Sequence, residues 1–327
     1  MHTITSKLLS FGWAAVAVAG ISIANPAAAA GYPDKPVKLI VAFPPGGISD
    51  ITARIVAPAL TKILGQSVII ENRGGAGGNV GAAAVGIAAP DGYTFLVTTT
   101  AFAVNPALWG KDAGYNAKDF VPVANITSQP NVIVVNDAVP AKTLADLKAL
   151  WPTRPLAYGT PGLGTTPSLS ADNLFHVIWK SNMTSVPYRG AGPAAIAVLS
   201  GETPVSSVAL ASVVPYVKQG KVRALAVTSK ERVAAMPDVP TLYELGYKDI
   251  EDYNWTAMLA PKGTPADRVK IMSDAIAKAL AMPEVKSLLD AQVLTGVGST
   301  PAQFKEYLDD EIVRWAKIVQ TTGAQRE

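Results

Sequence analysis

Hydrophobic residues follow two alternating patterns along the chain. Short β-branched runs such as residues 37–42 predict buried strands, whereas residues 49–64 place apolar side chains at helical spacing before a helix stop at Gly65. Further strands are predicted at residues 67–70, 94–98, 131–135, 156–158 and 224–228. Further helices are predicted at residues 79–89, 143–150, 167–179, 193–200, 213–218, 265–281, 283–291 and 301–321. This alternation favours an α/β fold in which helices cover a parallel sheet.

The first thirty residues have the pattern of an export signal. Lys7 is their only Lys or Arg, an apolar run covers residues 8–24, and four alanines at 27–30 precede Gly31. This order is typical of a secretory signal peptide that is removed. An uncleaved membrane anchor is the alternative, although the run is at the short end of what spans a bilayer. We therefore expect an exported mature chain of residues 31–327.

Composition argues against most metal and thiol chemistry. The chain has no cysteine and only two histidines, His2 and His176, so a zinc or iron site built from Cys and His lacks ligands. A cysteine nucleophile and a disulfide framework are excluded. The 28 Lys and Arg nearly balance the 25 Asp and Glu. Such a balance argues against nucleic acid or an anionic membrane surface as a partner.

Catalytic motifs are absent or weak. The glycines of residues 74–81 do not have the G-x-G-x-x-G spacing of a dinucleotide site, and neither a P-loop nor a G-x-S-x-G nucleophile motif occurs. A Ser-His-Asp triad would need His176, which lies in an apolar helical segment where a structural histidine is the simpler interpretation. A secreted hydrolase that uses His176 remains the alternative.

Glycine and proline cluster where predicted strands give way to helices, in loops 43–47, 74–78, 158–166 and 188–192. In an open α/β sheet, loops at the carboxyl ends of strands bind ligands. Residues Ser49, Thr165 or Thr166, and Asn105 are predicted N-caps. Several helix starts together would attract an anion without Lys or Arg, although tight turns without a ligand are the simpler alternative.

At these residues the chain resembles the extracytoplasmic solute-binding receptors of tripartite tricarboxylate transporters, the Bug receptors. The matching segments are residues 32–37, 43–47 with Asp50, 71–81, 89–94, 105–106, 119–123, 186–190, 220–227 and 237–241. The resemblance implies a two-domain periplasmic binding protein fold, type II-like, with a hinged ligand cleft between two doubly wound α/β domains. Domain one would be residues 31–128 plus 254–327, and domain two residues 129–253, with crossing segments near 125–127 and 255–259.

The resemblance also implies a function. The protein would be a periplasmic receptor without catalysis or a cofactor, a monomer that captures a small organic carboxylate and delivers it to the membrane subunits of the transporter. An aliphatic or aromatic dicarboxylate is the expected ligand class, with no metal and no nucleic acid involved. A ligand sensor that acts on a signalling partner is a further alternative.

Ligand-binding residues are carried over by matching position. The candidates are Phe43, Gly46, Gly47, Ile48, Ser49, Thr100, Ala101, Phe102, Thr160, Gly164, Thr165, Tyr188, Gly190 and Val208. Arg189 stands where the family carries Lys or Arg, and either the cleft or solvent could surround it. The family commonly has acids at the positions of Pro204 and Val208. Because an acid is missing at Val208, we expect a carboxylate without an amine to be preferred.

Overall fold

The computed structural model describes residues 31–324, and the predicted signal peptide, residues 1–30, lies outside the described residues. Within that part, ten strands form one sheet. The strands are β1 (Val37–Val41), β2 (Val68–Asn72), β3 (Thr94–Thr99), β4 (Phe120–Asn136), β5 (Ala157–Thr160), β6 (Thr184–Pro187), β7 (Val205–Ala209), β8 (Val222–Val227), β9 (Tyr253–Pro261) and β10 (Thr295–Gly296).

Helices cover this sheet over the same described range. They are α1 (Ile48–Leu64), α2 (Asn79–Gly86), α3 (Ala101–Trp109), α4 (Leu144–Leu150), α5 (Thr166–Asp172), α6 (Ala191–Ser200), α7 (Val214–Lys218), α8 (Ala266–Leu280), α9 (Pro283–Ala291) and α10 (Pro301–Thr322). Helix α5 continues directly into a π-helical segment, Asn173–Ile178. None of the helices between residues 31 and 324 is long and apolar enough to span a bilayer.

The sheet has two halves that repeat one strand order. The first half runs β2-β1-β3-β9-β4, and the second runs β6-β5-β7-β4-β8. In the first half, β9 lies antiparallel between β3 and β4. In the second half, β4 lies antiparallel between β7 and β8. Each half therefore contains one strand that runs against the other four.

The chain passes between the halves twice. Strand β4 pairs with β9 as far as Pro130 and pairs with β7 and β8 from Asn131 onward. The chain returns through the segment before β9, which ends at Asp252. This pairing is compatible with the predicted domain limits near residues 129 and 253, and the division into two domains stays a prediction.

Both faces of each half are packed. Neighbouring residues of a strand point to opposite faces, so Leu39 of β1 packs with α1 and α8 while Ile40 packs in the cluster that contains Phe304 and Trp315 of α10. In β4, Ile133 and Val134 belong in the same way to two separate clusters. Helices on both faces are typical of sheets with parallel strands, and they leave the strand ends free to form a site.

A buried glutamate joins α10 to strand β9. Glu311 is only 4% exposed. It accepts hydrogen bonds from the indole N–H groups of Trp255 and Trp315, each at 3.0 Å. Its other carboxylate oxygen accepts from Arg314, with Nε at 2.9 Å and Nη2 at 2.6 Å. These bonds compensate the cost of removing a carboxylate from water.

Asp252 extends this network to the place where the chain returns to the first half. Its Oδ2 accepts hydrogen bonds from Ser170 Oγ at 2.7 Å and from Asn131 Nδ2 at 2.6 Å. Arg314 Nη2 lies 4.0 Å from Oδ1. Burial raises the pKa of Asp252 to about 6, although the positive charge of Arg314 acts in the opposite direction. Because Asn131 belongs to β4 and Asp252 precedes β9, this cluster ties the two crossing segments together.

Replacing Glu311 with Ala should destabilise the protein strongly. The change leaves two buried indole N–H groups without their acceptor and removes the nearer of the two carboxylates around Arg314. We expect the free energy of unfolding, measured by urea denaturation with circular dichroism, to fall by about 3–5 kcal/mol. Asp309→Ala on the same helix is the control, because its pair with Lys305 is exposed and should contribute at most about 1 kcal/mol. Equal losses in the two variants would contradict this role for Glu311.

Candidate ligand-binding site

A cavity of about 540 Å³ lies where loops from both halves of the sheet meet. Its lining comes mainly from four segments, residues 43–49, 99–101, 161–167 and 189–193. These segments follow the carboxyl ends of β1, β3, β5 and β6, and each leads directly into a helix, α1, α3, α5 or α6. This is the position at which open α/β sheets bind ligands.

The four helices that begin at the cavity have open N-termini. In none of them does an N-cap side chain accept a hydrogen bond from the first turn. Two of the predicted caps are wrong, because Ser49 lies inside α1 and Asn105 inside α3. Thr165 is the N-cap residue of α5 as predicted, but its side chain makes no capping bond. In α3 two first-turn amides already have acceptors, since the Ala101 amide donates to Thr99 Oγ1 at 3.4 Å and the Ala103 amide to Thr100 O at 2.9 Å. The other first-turn amides, such as those of α1, are left for water or a ligand.

The loop before α1 is fixed by a buried carboxylate behind it. Asp50 accepts a hydrogen bond from the Gly46 amide at 2.9 Å, and Asn72 Nδ2 bridges Asp50 and the Phe43 carbonyl oxygen. Arg54 Nε lies 3.0 Å from both carboxylate oxygens. Burial opposes ionisation of Asp50, but the hydrogen bonds from Arg54, Gly46 and Asn72 outweigh it and lower the pKa. Asp50 thus holds the loop as an ion and does not line the cavity.

Ser49 adds a free polar group to the start of α1. Its residue is fully buried, and its hydroxyl oxygen has no hydrogen-bond partner among residues 31–324. It also lines the cavity. A buried hydroxyl without a partner costs free energy, so a ligand that bonds to Ser49 would recover it. The preceding turn contains Gly46 with φ +85°, a conformation that disfavours any side chain.

The two loops of the second half are joined through their backbones. The Tyr188 amide donates to Thr160 O at 2.8 Å, and the Gly190 amide donates to Pro161 O at 2.9 Å. The Thr165 hydroxyl donates to Gly162 O at 2.7 Å, which leaves its oxygen as an acceptor. The loops before α5 and α6 therefore form one connected wall of the cavity.

The first and second halves touch at the edge of the cavity. Gly164 lies against α3, where a Cβ at this position would come within 2.4 Å of Leu108 Cδ2. Asn105 of the same helix donates to Gly77 O at 2.9 Å and to Asn79 Oδ1 at 2.6 Å. Glycine at 164 thus allows the two walls to approach closely, and its φ of +73° also favours glycine.

The lining of the cavity carries positive charge. Among residues 31–324, Arg189 is the only charged residue that lines the cavity, and no Asp or Glu lines it. With four helix N-termini, the partial charges around the cavity are also positive. Among residues 31–324 no group of three His, Asp or Glu side chains could hold a metal ion. The site is suited to an anion with polar contacts from neutral groups.

Comparison with known proteins places the chain in a family. A family model described as "Tripartite tricarboxylate transporter family receptor" matches residues 52–324. The chain belongs to this family. The receptors of this family bind solutes and are not enzymes, so the resemblance drawn from the sequence motifs is confirmed.

By sequence, the receptor is 36% identical to protein BugT of Bordetella pertussis over 324 residues, which is 98% of each chain. Solved structures are similar over nearly all of their length. The periplasmic binding protein BugD has a TM-score of 0.81 with 29% identity and covers 90% of this chain and 100% of its own. These matches confirm the predicted α/β fold of periplasmic binding proteins.

Two similar structures are described with a bound acid. Rpa4515 of Rhodopseudomonas palustris, with adipate, has a TM-score of 0.82 and 32% identity, and the match covers 90% of this chain and 99% of that protein. MatC of the same organism, with bound malate, has a TM-score of 0.79 and 31% identity, and the match covers 88% of this chain and 100% of that protein.

Most of the residues predicted for the site line the cavity of this receptor. They are Phe43, Gly46, Gly47, Ile48, Ser49, Thr100, Ala101, Gly164, Thr165 and Gly190. Four predicted residues lie outside the lining, namely Phe102, Thr160, Tyr188 and Val208. Phe102 stacks on Tyr115 with ring centres 4.9 Å apart. The Tyr188 hydroxyl donates to Glu202 at 2.8 Å, and Thr160 is fully buried.

Val208 does not line the cavity, although the expected preference for a ligand without an amine depended on its doing so. It is fully buried in the cluster that contains Val132 and Ala194, so it does not form an apolar wall of the cavity. The neighbouring hydroxyls are also occupied, since Ser206 donates to Gly159 O and Ser207 to Pro167 O. Any preference against an amine must therefore come from other residues.

Several lining residues were not among the predicted ligand-binding residues. They are Pro44, Pro45, Gly77, Thr99, Asn105, Pro161, Gly162, Leu163, Thr166, Pro167, Ala191, Gly192, Pro193, Ala209 and Asn254. Most belong to the glycine-rich loops, whose composition was a usable signal. Asn254 had no such signal, because it lies in β9, a strand that the hydrophobic pattern does not predict.

His176 takes no part in the cavity. Its Nε2 lies 2.8 Å from Met183 O and 3.2 Å from the Tyr158 hydroxyl. Among residues 31–324 no serine or threonine hydroxyl bonds to it, so the described structure contains no Ser-His pair. The family consists of solute-binding receptors, which are not enzymes, so the alternative of a hydrolase that uses His176 is wrong.

Replacing Gly47 with Val should weaken ligand binding without unfolding the receptor. The Gly47 φ of −77° suits any residue, and a Cβ would meet nothing closer than Pro44 O at 3.5 Å. We expect the free energy of unfolding to change by at most about 1 kcal/mol. The added side chain would cover the first-turn amides of α1, so calorimetry should show affinity reduced at least about tenfold, or about 1.4 kcal/mol.

Gly47→Ala is the matched variant and should give a smaller loss than Val. Unchanged affinity in Gly47→Val would remove this loop from the binding site.

Proposed function

We propose that the receptor is exported to the periplasm, captures a small organic carboxylate in this cavity as a monomer, and delivers it to the membrane subunits of a tripartite tricarboxylate transporter. The observation that carries the proposal is the convergence of four open helix N-termini on a cavity without an acid. The complexes of similar proteins with adipate and malate support the same ligand class.

A carboxylate that enters the cavity must be removed from water. This removal costs several kcal/mol for an unpaired ion. Hydrogen bonds to a charged group return about 1.5–3 kcal/mol each, and helix N-termini supply donors already oriented toward an anion. The Ser49 hydroxyl adds another donor. A few such contacts are enough to make binding favourable without a lysine in the cavity.

The same lining disfavours an ammonium group. No Asp or Glu lines the cavity, so a buried ammonium would lack a counter-charge. An acid without an amine, such as an aliphatic or aromatic dicarboxylate, therefore suits this lining better than an amino acid does. We expect such acids to be preferred over aspartate or glutamate by at least about tenfold, or about 1.4 kcal/mol.

Closure of the cavity would follow from the two-half sheet. We infer that residues 31–128 with 254–327 and residues 129–253 move as two domains about the crossing segments. The contact between Gly164 and Leu108 joins the two sides and supports this view. A ligand that contacts both walls would bind the closed form more tightly than the open form and would therefore favour closure.

Thermal unfolding with a panel of ligands tests the proposed function. The panel contains succinate, adipate, terephthalate and L-glutamate, with glucose as the neutral comparison. At a hundredfold excess over Kd, binding to the folded protein adds about 2.7 kcal/mol. This corresponds to a rise in Tm of several degrees, at about 2 °C per kcal/mol for a chain of this size. If glucose raises Tm and none of the acids does, the receptor does not bind carboxylates.

A further inference from the structure

The loop between β6 and α6 holds a cation at the wall of the cavity. Arg189 lies between two residues whose amides bond to the neighbouring loop, Tyr188 to Thr160 O at 2.8 Å and Gly190 to Pro161 O at 2.9 Å. These bonds on both sides fix the backbone of Arg189. The Cα of Arg189 therefore has a defined position, and only the side-chain torsions have to be ordered when the guanidinium binds a ligand.

The Arg189 guanidinium has no partner in the part of the chain that the structure describes. It makes no ion pair or hydrogen bond with residues 31–324. Most other arginines there do, for example Arg54 with Asp50 and Arg232 with Glu244. Arg189 is exposed, lines the cavity, and is the only charged residue that does so. Its donors are thus available to whatever occupies the cavity.

The anion-binding groups of the cavity come from both halves of the sheet. The start of α1, with the free Ser49 hydroxyl, follows β1 of the first half, whereas Arg189 and the start of α6 follow β6 of the second half. The cavity is lined by both. A ligand with one carboxylate can bind to only one of these two sets of groups, whereas a ligand with two carboxylates can bind to both at once.

We propose that Arg189 binds the second carboxylate of the ligand and makes the receptor selective for dicarboxylates over monocarboxylates. This inference depends on the proposed function, since it assigns a specificity-determining residue within the same cavity. Guanidinium and carboxylate groups match in a planar, two-bond geometry that a neutral ester cannot reproduce. Because one carboxylate bonds to α1 and the other to Arg189, a dicarboxylate links the two walls, and closure removes the Arg189 pair from solvent.

Calorimetry with diacids and their monomethyl esters tests the role of Arg189. The probes are adipate with monomethyl adipate and terephthalate with monomethyl terephthalate, each pair differing in one charge at nearly constant length. The unaltered receptor should bind at least one diacid at least about tenfold more tightly than its monoester. In Arg189→Gln the diacid should lose about that factor, while the affinity for the monoester should change by less than about twofold.

Arg154→Gln is the matched control. Arg154 is also exposed, makes no ion pair in the described part of the chain, and does not line the cavity. Its removal changes the net charge equally and should leave all four affinities unchanged. The preference of the unaltered receptor should also weaken with added salt, because part of it is a charge interaction at the cavity edge.

The outcomes separate this inference from the proposed function. Selective loss of diacid binding in Arg189→Gln, with no change in Arg154→Gln, supports it. If the unaltered receptor binds these acids but Arg189→Gln weakens diacid and monoester equally, or weakens neither, the inference fails and carboxylate capture stands. If the receptor binds none of the four probes and no acid of the thermal panel, both proposals fail together.

Discussion

The open helix N-termini at the cavity are the constraint on which the rest of the site depends. Four helices begin there, and none of their N-cap side chains accepts a hydrogen bond from the first turn. Unpaired donors of like partial charge are unfavourable together unless water or an anion occupies the space between them. The glycines of the adjoining loops, such as Gly46 and Gly190 with positive φ, keep the backbone uncovered. An acid in the lining would neutralise this arrangement, and the described part of the chain places none there.

Buried ionic groups outside the cavity keep the framework in place. Asp50 holds the first loop from behind with its own cation, Arg54. Glu311 and Asp252 share Arg314 at the place where the chain returns to the first half. These acids are bound within the protein, so the positive character of the cavity is not offset by them. The two proposed domains would hinge at these same segments. The packing of α10 would therefore affect how the cavity closes on a ligand.

The hydrophobic pattern predicted the elements whose apolar residues recur at the spacing of a strand or a helix. Strand β1 and helix α1 are found where the pattern places them. Strand β7 was missed because Ser206 and Ser207 interrupt its apolar run, and their hydroxyls bond to backbone carbonyls. Only residues 131–135 of β4 were predicted, because Pro122 and Pro130 are unusual inside a strand. Register shifts near Pro122 accommodate one of them.

The part of the site that consists of loops at strand ends was predictable from the sequence. Glycine clusters and matching positions led to most of the lining residues, since backbone groups and not particular side chains form this wall. Side-chain orientation was not predictable in the same way. Val208 is at a matching position but packs away from the cavity, and Asn105, with the sequence of a helix start, lies inside α3 and donates to Gly77 and Asn79.

The central claim is that helix N-termini bind a carboxylate in this cavity. The most direct measurement is a crystal structure of the receptor with the acid that raises Tm most. The account predicts a carboxylate oxygen at about 2.7–3.2 Å from first-turn amide nitrogens of α1, such as that of Ser49. An acid bound outside the cavity, or one inside it whose carboxylates face solvent and contact no helix start, would contradict the account.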